Sequence, residues 1–597
     1  MCGIVGYSGK NKKCIPVIIS GLESLEYRGY DSAGIAYIVD NKINIIKEEG
    51  KIKNLKENLN LDQESNLGIG HTRWATHGKP TKENSHPHQV GKITLVHNGI
   101  IENYIDLKKD LIKKGYKFIS DTDTEVACAL IDSLYDGNII ETINKAIKKM
   151  RGSFAFGILV EGDNNLYATR LTSPLIIAKG DNENYIASDV PAILKYTNKY
   201  ILLDDYDIAK ITNDEITIYN DNKIVKRDIL TFEGDMEQGM KNGYDHFMLK
   251  EINEQDKVIK NTIGYYFDGT IESLNKSFPD LTKYKNIHIV ACGSAYHTGL
   301  VGKSLIEKYA KIPVTCEVAS EYRYKNSFYD KYTLVILVSQ SGETADTLAA
   351  LRKAKEDGID TLAIVNVVGS SIARESKYVL YIKAGCEIAV ATTKAYTAQL
   401  SIFSLIAIYL AYNKKLLNEN DLNEIVKEIN NLPEIINKTL ENKNYIDIAN
   451  KIYKRNDIFF IGRGIDYALS MEGSLKLKEI SYINSVAYAA GELKHGTISL
   501  IDKQTPVIAL STDENLREKT ISNIKEVKAR DAYTIFVTNE YIDSDFYDDI
   551  IVVDKIHELL QPIITIIPLQ LLSYEVAKLN GCDIDKPRNL AKSVTVE

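Results

Sequence analysis

Ile287-His288-Ile289-Val290-Ala291-Cys292-Gly293-Ser294 is a short apolar run ending on a turn of small residues, with a helix-like segment behind it. The rhythm returns at Leu334-Val335-Ile336-Leu337-Val338, again followed by a helix-like run. Strands that alternate with helices in this way predict a parallel, doubly wound α/β sheet. Farther on, Ile458-Phe459-Phe460-Ile461-Gly462 resembles the run that ends at Gly293. Ala489-Ala490-Gly491-Glu492 resembles Val318-Ala319-Ser320-Glu321, and Val507-Ile508-Ala509-Leu510-Ser511 resembles Val335-Ile336-Leu337-Val338-Ser339. Glu492 stands 171 residues after Glu321, and Ser511 stands 172 after Ser339. Two copies are too few for a solenoid; they predict two α/β lobes facing each other across a site. Residues 413–446, rich in Lys, Asn and Glu with interleaved Leu and Ile, fit connecting helices.

Upstream, residues 1–230 carry short β-like runs broken by Gly, Asn and Asp, among them Ile4-Val5-Gly6, Gly34 to Val39, Ile93 to Val96 and Ala155 to Val160. Helical patterns interrupt them near 101–114 and 124–149. Grouped strands with a few helices predict an α+β domain of packed sheets. The expected organisation is this domain over 1–230, a linker at 231–245, a first lobe at 246–425, a second at 426–587 and a C-terminal segment at 588–597.

The 597 residues include 73 basic and 81 acidic side chains, a formal net charge of −8, which argues against nucleic acid or anionic membrane as the main partner. With 44% hydrophobic and 26% charged residues, disordered, collagenous and small disulfide-stapled classes are excluded. The seven cysteines are scattered, odd in number and without CxxC spacing, and Met1-Cys2-Gly3 enters a strand-like run without a basic leader. A reduced, cytoplasmic protein is expected. The longest apolar stretch, Ser401 to Tyr412, is too short to span a bilayer and reads as a buried helix.

Cys2 would become the terminal residue once the initiator methionine is removed, with thiol and α-amine on one residue. That amine has an ordinary pKa of about 7.7–8.0 and can serve as the thiol's base; otherwise Cys2 is simply the start of a strand. The block His71-Thr72-Arg73-Trp74-Ala75-Thr76-His77-Gly78 is dense in donors and holds the chain's only Trp. Arg73 is suited to pair an α-carboxylate and Asp123 an α-ammonium, with Asn98 and the Gly99 amide at an oxyanion. Each also has a plainer reading: Arg73 a surface ion pair, Trp74 core, and Thr122 with Glu125 a capping box beside Asp123. Five of ten histidines, His71, His77, His86, His88 and His97, cluster here. No i,i+4 ligand pair exists, and His86-Pro87-His88, if extended, would not aim both rings at one ion, so no metal is expected.

Cys2-Gly3-Ile4-Val5-Gly6, Tyr27-Arg28-Gly29-Tyr30-Asp31-Ser32-Ala33-Gly34, the block 71–78, Asn84-Ser85-His86-Pro87-His88 and Val96-His97-Asn98-Gly99-Ile100 together resemble the glutaminase domain of class II amidotransferases. The resemblance implies an N-terminal-nucleophile hydrolase fold, Cys2 as nucleophile, Asn98 and Gly99 at the oxyanion, and Arg73, Thr76, His77 and Asp123 around glutamine.

In the second half, Ser339-Gln340-Ser341-Gly342-Glu343-Thr344 lies between an apolar strand and a helix-like run. Hydroxyls and a glycine at a helix N-terminus offer amides to a phosphate, or else only N-cap the helix. A second hydroxyl cluster, Val390-Ala391-Thr392-Thr393-Lys394, favours the phosphate. The counterpart loop, Ser511-Thr512-Asp513-Glu514, is acidic, so the phosphate is expected in the first lobe. Lys476 and Glu479 share a helix face at i,i+3, either as a surface pair or as a carboxylate base beside a cation. Glu492-Leu493-Lys494-His495-Gly496 offers an acid/base histidine, and Lys592 is a solvated tail lysine or an imine-forming amine.

This half resembles the paired sugar isomerase domains of the glutamine-dependent, isomerising hexose-phosphate aminotransferases, through to Asn589-Leu590-Ala591-Lys592-Ser593-Val594-Thr595-Val596-Glu597. The resemblance implies that fructose 6-phosphate and glutamine become glucosamine 6-phosphate and glutamate. It puts Ser294, Ser339, Gln340, Ser341, Thr344, Val390, Thr392 and Ala591 at the sugar phosphate, His495 at ring opening, Lys592 in an imine, and Glu479 with Lys476 at the proton shift. The same resemblance implies that Trp74 gates an internal ammonia path and that the protein is a homodimer. Acyl transfer plus proton transfer calls for no metal, nucleotide or organic cofactor. Ala295 stands where the family usually has Ser, Thr392 where Ser is common, and Asn484 and Thr497 where His and Pro are usual. Two alternatives stay open: another class II amidotransferase, making a phosphoribosylamine or asparagine, and a sugar-phosphate-binding regulator with an inert glutaminase.

Overall fold

A computed structural model describes residues 2–74, 78–232, 241–325 and 329–595. They form two compact units, Met1–Met240 with Ala591–Glu597, and Lys241–Leu590. Each is taken by itself.

The first unit holds two antiparallel sheets. One has eight strands in the order Ile229–Thr231, Lys199–Leu202, Ile176–Lys179, Glu183–Ala187, Gly3–Gly9, Leu67–Arg73, Ser32–Val39 and Lys42–Glu49. The other has seven: Lys223–Val225, Ile216–Asn220, Ile208–Ile211, Leu166–Leu171, Gly152–Val160, Ile93–Ile101 and His88–Val90. Ile4 and Ile69 from the first pack with Val96, Ala155 and Leu166 from the second in one core. The outer face of the first sheet takes helix Cys14–Leu25, which comes so close that a Cβ on Gly68 would reach Cys14 and one on Gly70 would reach Ile18. The outer face of the second takes helices Asp123–Leu134 and Ile139–Ile147. Strand Gly3–Gly9 is therefore buried along its whole length.

Period two along these strands sorts the chemistry. Ile4, Leu67 and Ile69 face between the sheets, so Cys2, His71 and Arg73 share that side. Val96 faces it from the second sheet, and so does Asn98, whereas His97 turns toward the helices.

The helix expected over 124–149 is two helices. Gly137, at φ +105°, breaks it, and Asn138 caps the second through Glu141 N–H. The linker expected from 231 follows edge strand Ile229–Thr231, which pairs with Lys199–Leu202; most of that stretch, 233–240, lies outside the described residues.

The second unit carries two five-stranded parallel sheets. Their orders are Val314–Val318, Asn286–Ala291, Thr333–Ser339, Asp360–Val365, Tyr378–Tyr381 and Asn484–Ala489, Asp457–Gly462, Pro506–Ser511, Tyr533–Thr538, Asp549–Val552. In each the chain's second strand lies outside the first, and the order reverses between the first and third. Ligands bind at such a switch point, beyond the carboxyl ends of the strands. Ser294 and Ser339 both emerge there.

Helices Lys394–Asn413 and Gln561–Leu579 are long and apolar enough to cross a membrane, yet 94% and 83% of their apolar stretches are buried in the unit, as core helices are. The first contains the run expected to be a buried helix. The lobe boundary expected after 425 falls inside helix Glu419–Glu441, which an Asn418–Asp421 capping box starts. The C-terminal segment groups with the first unit from Ala591 onward.

Candidate functional site

Cys2 precedes strand Gly3–Gly9, whose N–H groups at Gly3 and Ile4 donate to Thr72 Oγ1 at 3.1 Å and Ser188 Oγ at 3.0 Å. Its Sγ accepts from the Trp74 N–H at 3.2 Å. Burial pushes the thiol pKa up, while the Trp74 amide and the Arg73 guanidinium oppose that rise. The loop Tyr27–Gly34 backs this corner. Tyr27 and Arg28 bond Asp189, and a Cβ on Gly29 would stand 2.7 Å from the Arg73 carbonyl carbon. Only glycine lets the loop approach so closely.

Arg73 is 3% exposed, so it is not a surface ion pair. Its guanidinium donates to the carbonyls of Gly78 and Lys79 at 3.2 Å each. Asp123 opens its helix with Oδ2 accepting from Ile101 N–H at 2.8 Å. The capping box expected beside it is only half made. Thr122 Oγ1 accepts from Glu125 N–H, but the Glu125 carboxylate turns to the amides of Ile119 and Ser120. Asn98 Nδ2 donates to the Cys2 carbonyl at 2.8 Å. Gly99 has φ +120°, and a Cβ there would run into the Ser153 carbonyl. Thr76 and His77 lie outside the described residues.

His71, His86, His88 and His97 are all buried. The rings of His86 and His88 stand edge to face, their centroids 5.1 Å apart. The imidazoles bond to protein partners, His88 to Thr122, and His86 and His97 to Thr124. Desolvation pushes the pKa values of His71, His86 and His88 down, so they are neutral near pH 7.

In the second unit, the loop after strand Thr333–Ser339 makes a cradle. Ser339 Oγ accepts from Gly342 N–H at 3.0 Å and bonds Thr344 Oγ1 at 2.9 Å. Thr344 stands at the N-cap of helix Ala345–Glu356 but makes no side-chain cap bond. Simple N-capping by this threonine is thus excluded. Gln340 joins through its carbonyl, which accepts from Asn366 N–H, and Ser341 Oγ accepts from Glu343 N–H. Gly342 holds φ +65°, with Ser370 Oγ where a Cβ would go. Backbone strain of this kind costs about 1–3 kcal/mol. Gly342→Ala is therefore expected to weaken binding of a phosphorylated ligand about tenfold or more; calorimetric titration of the folded variant checks this.

The second lobe is built differently at the equivalent loop. Gly293 and Gly464 occupy equivalent positions with φ +54° and +56°, so Asp466 is the counterpart of Ala295. The buried Asp466 carboxylate accepts from Thr512 N–H at 2.8 Å, Thr512 Oγ1 at 2.6 Å and Asp513 N–H at 3.2 Å. The chain's own carboxylate fills the anion position there. Asp513 merely caps the next helix through Asn515 N–H. In the first lobe Ala295 leaves the equivalent position without a carboxylate.

Helix Ile465–Ser481 supplies the acid–base cluster. Lys476 is 1% exposed and lies 2.6 Å from Glu479 and 3.4 Å from Glu472, so the surface-pair reading fails. Its Nζ donates to Ser294 Oγ at 3.1 Å, and Ser294 Oγ donates to Glu472 at 2.9 Å. His297 Nδ1 meets the other Glu472 oxygen at 2.8 Å. Burial alone would lower the Lys476 pKa; the charges of Glu479 and Glu472 outweigh it and hold the group protonated. Glu472 and His297 were missed in the sequence, although Glu472 is at i,i+4 from Lys476.

Val390 N–H donates to the Asp585 carbonyl. Beside the half-buried Thr392, Glu387 caps the Thr393 and Ala395 amides. His495 ends the short helix Leu493–His495 and is exposed; among the described residues no recorded hydrogen bond joins it to the Lys476 cluster. Ala591 and Lys592 belong to the segment that groups with the first unit.

The profile of the SIS domain matches residues 280–409 and 451–579, and that of the glutamine amidotransferase domain matches 71–195. Over the full length of both chains, the sequence is 50% identical to glutamine–fructose-6-phosphate aminotransferase (isomerizing) of Clostridium tetani and 44% identical to that of Thermus thermophilus. The C-terminal domain of glucosamine-fructose-6-phosphate aminotransferase from Francisella tularensis, at 40% identity and TM-score 0.56, covers 58% of this chain and all of that one.

Proposed function

The chain belongs to the glutamine–fructose-6-phosphate aminotransferase (isomerising) family, and on that premise we propose how its residues divide the work. The reaction turns fructose 6-phosphate and glutamine into glucosamine 6-phosphate and glutamate, the entry to hexosamine synthesis. Cys2 attacks the glutamine amide and passes through a tetrahedral intermediate to a thioester. Asn98 and Gly99 stabilise the oxyanion. Arg73, Thr76, His77 and Asp123 hold the amino acid, and Trp74 gates the passage of ammonia.

In the second unit, Ser339, Gln340, Ser341 and Thr344 seat the phosphate, and Ser294, Val390, Thr392 and Ala591 line the sugar. His495 assists ring opening, Lys592 forms an imine with the ketose, and Glu479 moves a proton between C1 and C2 beside Lys476. The supporting observation is the buried Lys476 ammonium between Glu479 and Glu472. A proton shift between adjacent carbons needs a positioned base, and Glu479, held beside a fixed cation, is suited to that role.

The assembly is a homodimer; the exposed His495 supports this, since it has room to serve a neighbouring copy. A cytoplasmic setting agrees with seven cysteines that are all unpaired. The net charge of −8 supports small molecules, not nucleic acid or membrane, as partners. Incubation with glutamine and fructose 6-phosphate is expected to give glutamate and glucosamine 6-phosphate in equal amounts. Glutamate without aminosugar would remove the synthase reading.

A further inference from the structure

Strand Ile93–Ile101 loses its outer partner after Leu95, because His88–Val90 pairs only with Ile93–Leu95. Backbone groups beyond that point need other partners. His97 finds them in two stacked imidazoles, His71 and His86, whose centroids are 4.1 Å apart. Its N–H donates to His86 Nδ1 at 3.3 Å, and its carbonyl lies 2.9 Å from His71 Nε2.

A carbonyl oxygen only accepts, so His71 must carry a proton on Nε2. The ring is fully buried, and desolvation pushes its pKa down to about 3, so that is the one proton it holds. The same N–H meets Asn98 Oδ1 at 3.1 Å. Asn98 thus turns its oxygen to His71 and its Nδ2 to the Cys2 carbonyl, 2.8 Å away. A flipped amide would set NH2 against N–H and oxygen against oxygen, two repulsions in place of two hydrogen bonds.

We propose that His71 is a positioning residue for glutamine hydrolysis: it orients the Asn98 amide so that its donor, Nδ2, faces the Cys2 side, where the oxyanion forms. This rests on Asn98 as an oxyanion donor. His71 itself touches neither substrate nor thiol; the His97 carbonyl sets its tautomer, and the tautomer sets the amide.

The test uses the full-length protein with His71→Leu, His71→Gln, Asn98→Ala and the double variant His71→Leu/Asn98→Ala. Losing an oxyanion donor costs about 10²–10³ in kcat, and a misdirected one is expected to cost about 10–100-fold. His71→Leu should show that fall in hydrolysis with an unchanged KM for glutamine and unchanged ammonia-driven synthesis. His71→Gln, whose amide supplies a donor at similar reach, should recover most of the rate. On the Asn98→Ala background, His71→Leu should cost nothing more. Parent-like kcat in His71→Leu, equal loss in His71→Gln, a full further loss in the double variant, or collapse of ammonia-driven synthesis would each overturn the proposal. If Asn98→Ala itself hydrolyses glutamine at the parent rate, the oxyanion reading falls and takes this proposal with it; an impaired Asn98→Ala beside an unimpaired His71→Leu sinks only the proposal.

Discussion

Cys2→Ala is expected to reduce glutamine-dependent formation of glucosamine 6-phosphate by about 10³-fold or more, to the background of the assay. The thiol is the nucleophile proposed for this step. The neighbouring groups, Trp74 N–H and Asn98 Nδ2, are donors that stabilise charge but cannot attack a carbonyl. Removing one Sγ leaves strand Gly3–Gly9 pinned by Thr72 and Ser188, so the fold is expected to survive. Isomerisation of fructose 6-phosphate and synthesis from added ammonia are expected to persist, because the Lys476 cluster contains nothing from Cys2. Coupled assays for glutamate, aminosugar and glucose 6-phosphate check all three. Loss of every activity in a folded protein would refute two separable chemistries.

Glu479→Gln should produce the mirror pattern. A positioned general base typically contributes about 10²–10⁴ in rate, and both isomerisation and aminosugar synthesis are expected to fall by that factor. Glutamine hydrolysis should continue. The variant should also fold. Lys476 is fully buried, and an ammonium left there without any partner would cost about 3–5 kcal/mol, but Glu472 remains 3.4 Å away and Ser294 still accepts from Nζ. Proton exchange at C1 of fructose 6-phosphate, followed by NMR in deuterated water, reads the step directly. Exchange at the parent rate would assign the proton transfer to another group.

Several features of the site lay within reach of the primary structure. Glu472, Lys476 and Glu479 share one helical face by spacing alone, yet nothing local says that the face is buried and that Glu472 joins the other two. The equivalence of Ala295 and Asp466 follows from the repeat; that Asp466 fills its own lobe's anion position is visible only in its bonds to Thr512 and Asp513. Acidic residues at Asp513 and Glu514 pointed to the same lobe for another reason, electrostatic repulsion.

Local pattern by itself determined the two α/β lobes, the α+β unit before them, and Cys2 as a candidate nucleophile, because strand and helix periods and small-residue turns are properties of neighbours in the chain. Only tertiary structure decided that Asn98 meets His71 and Cys2 between two stacked sheets, that Arg73 is buried rather than surface-paired, and that residues from Ala591 onward join the first unit. Those outcomes depend on which face another layer covers, and burial is a property of the whole packed chain that no short stretch carries.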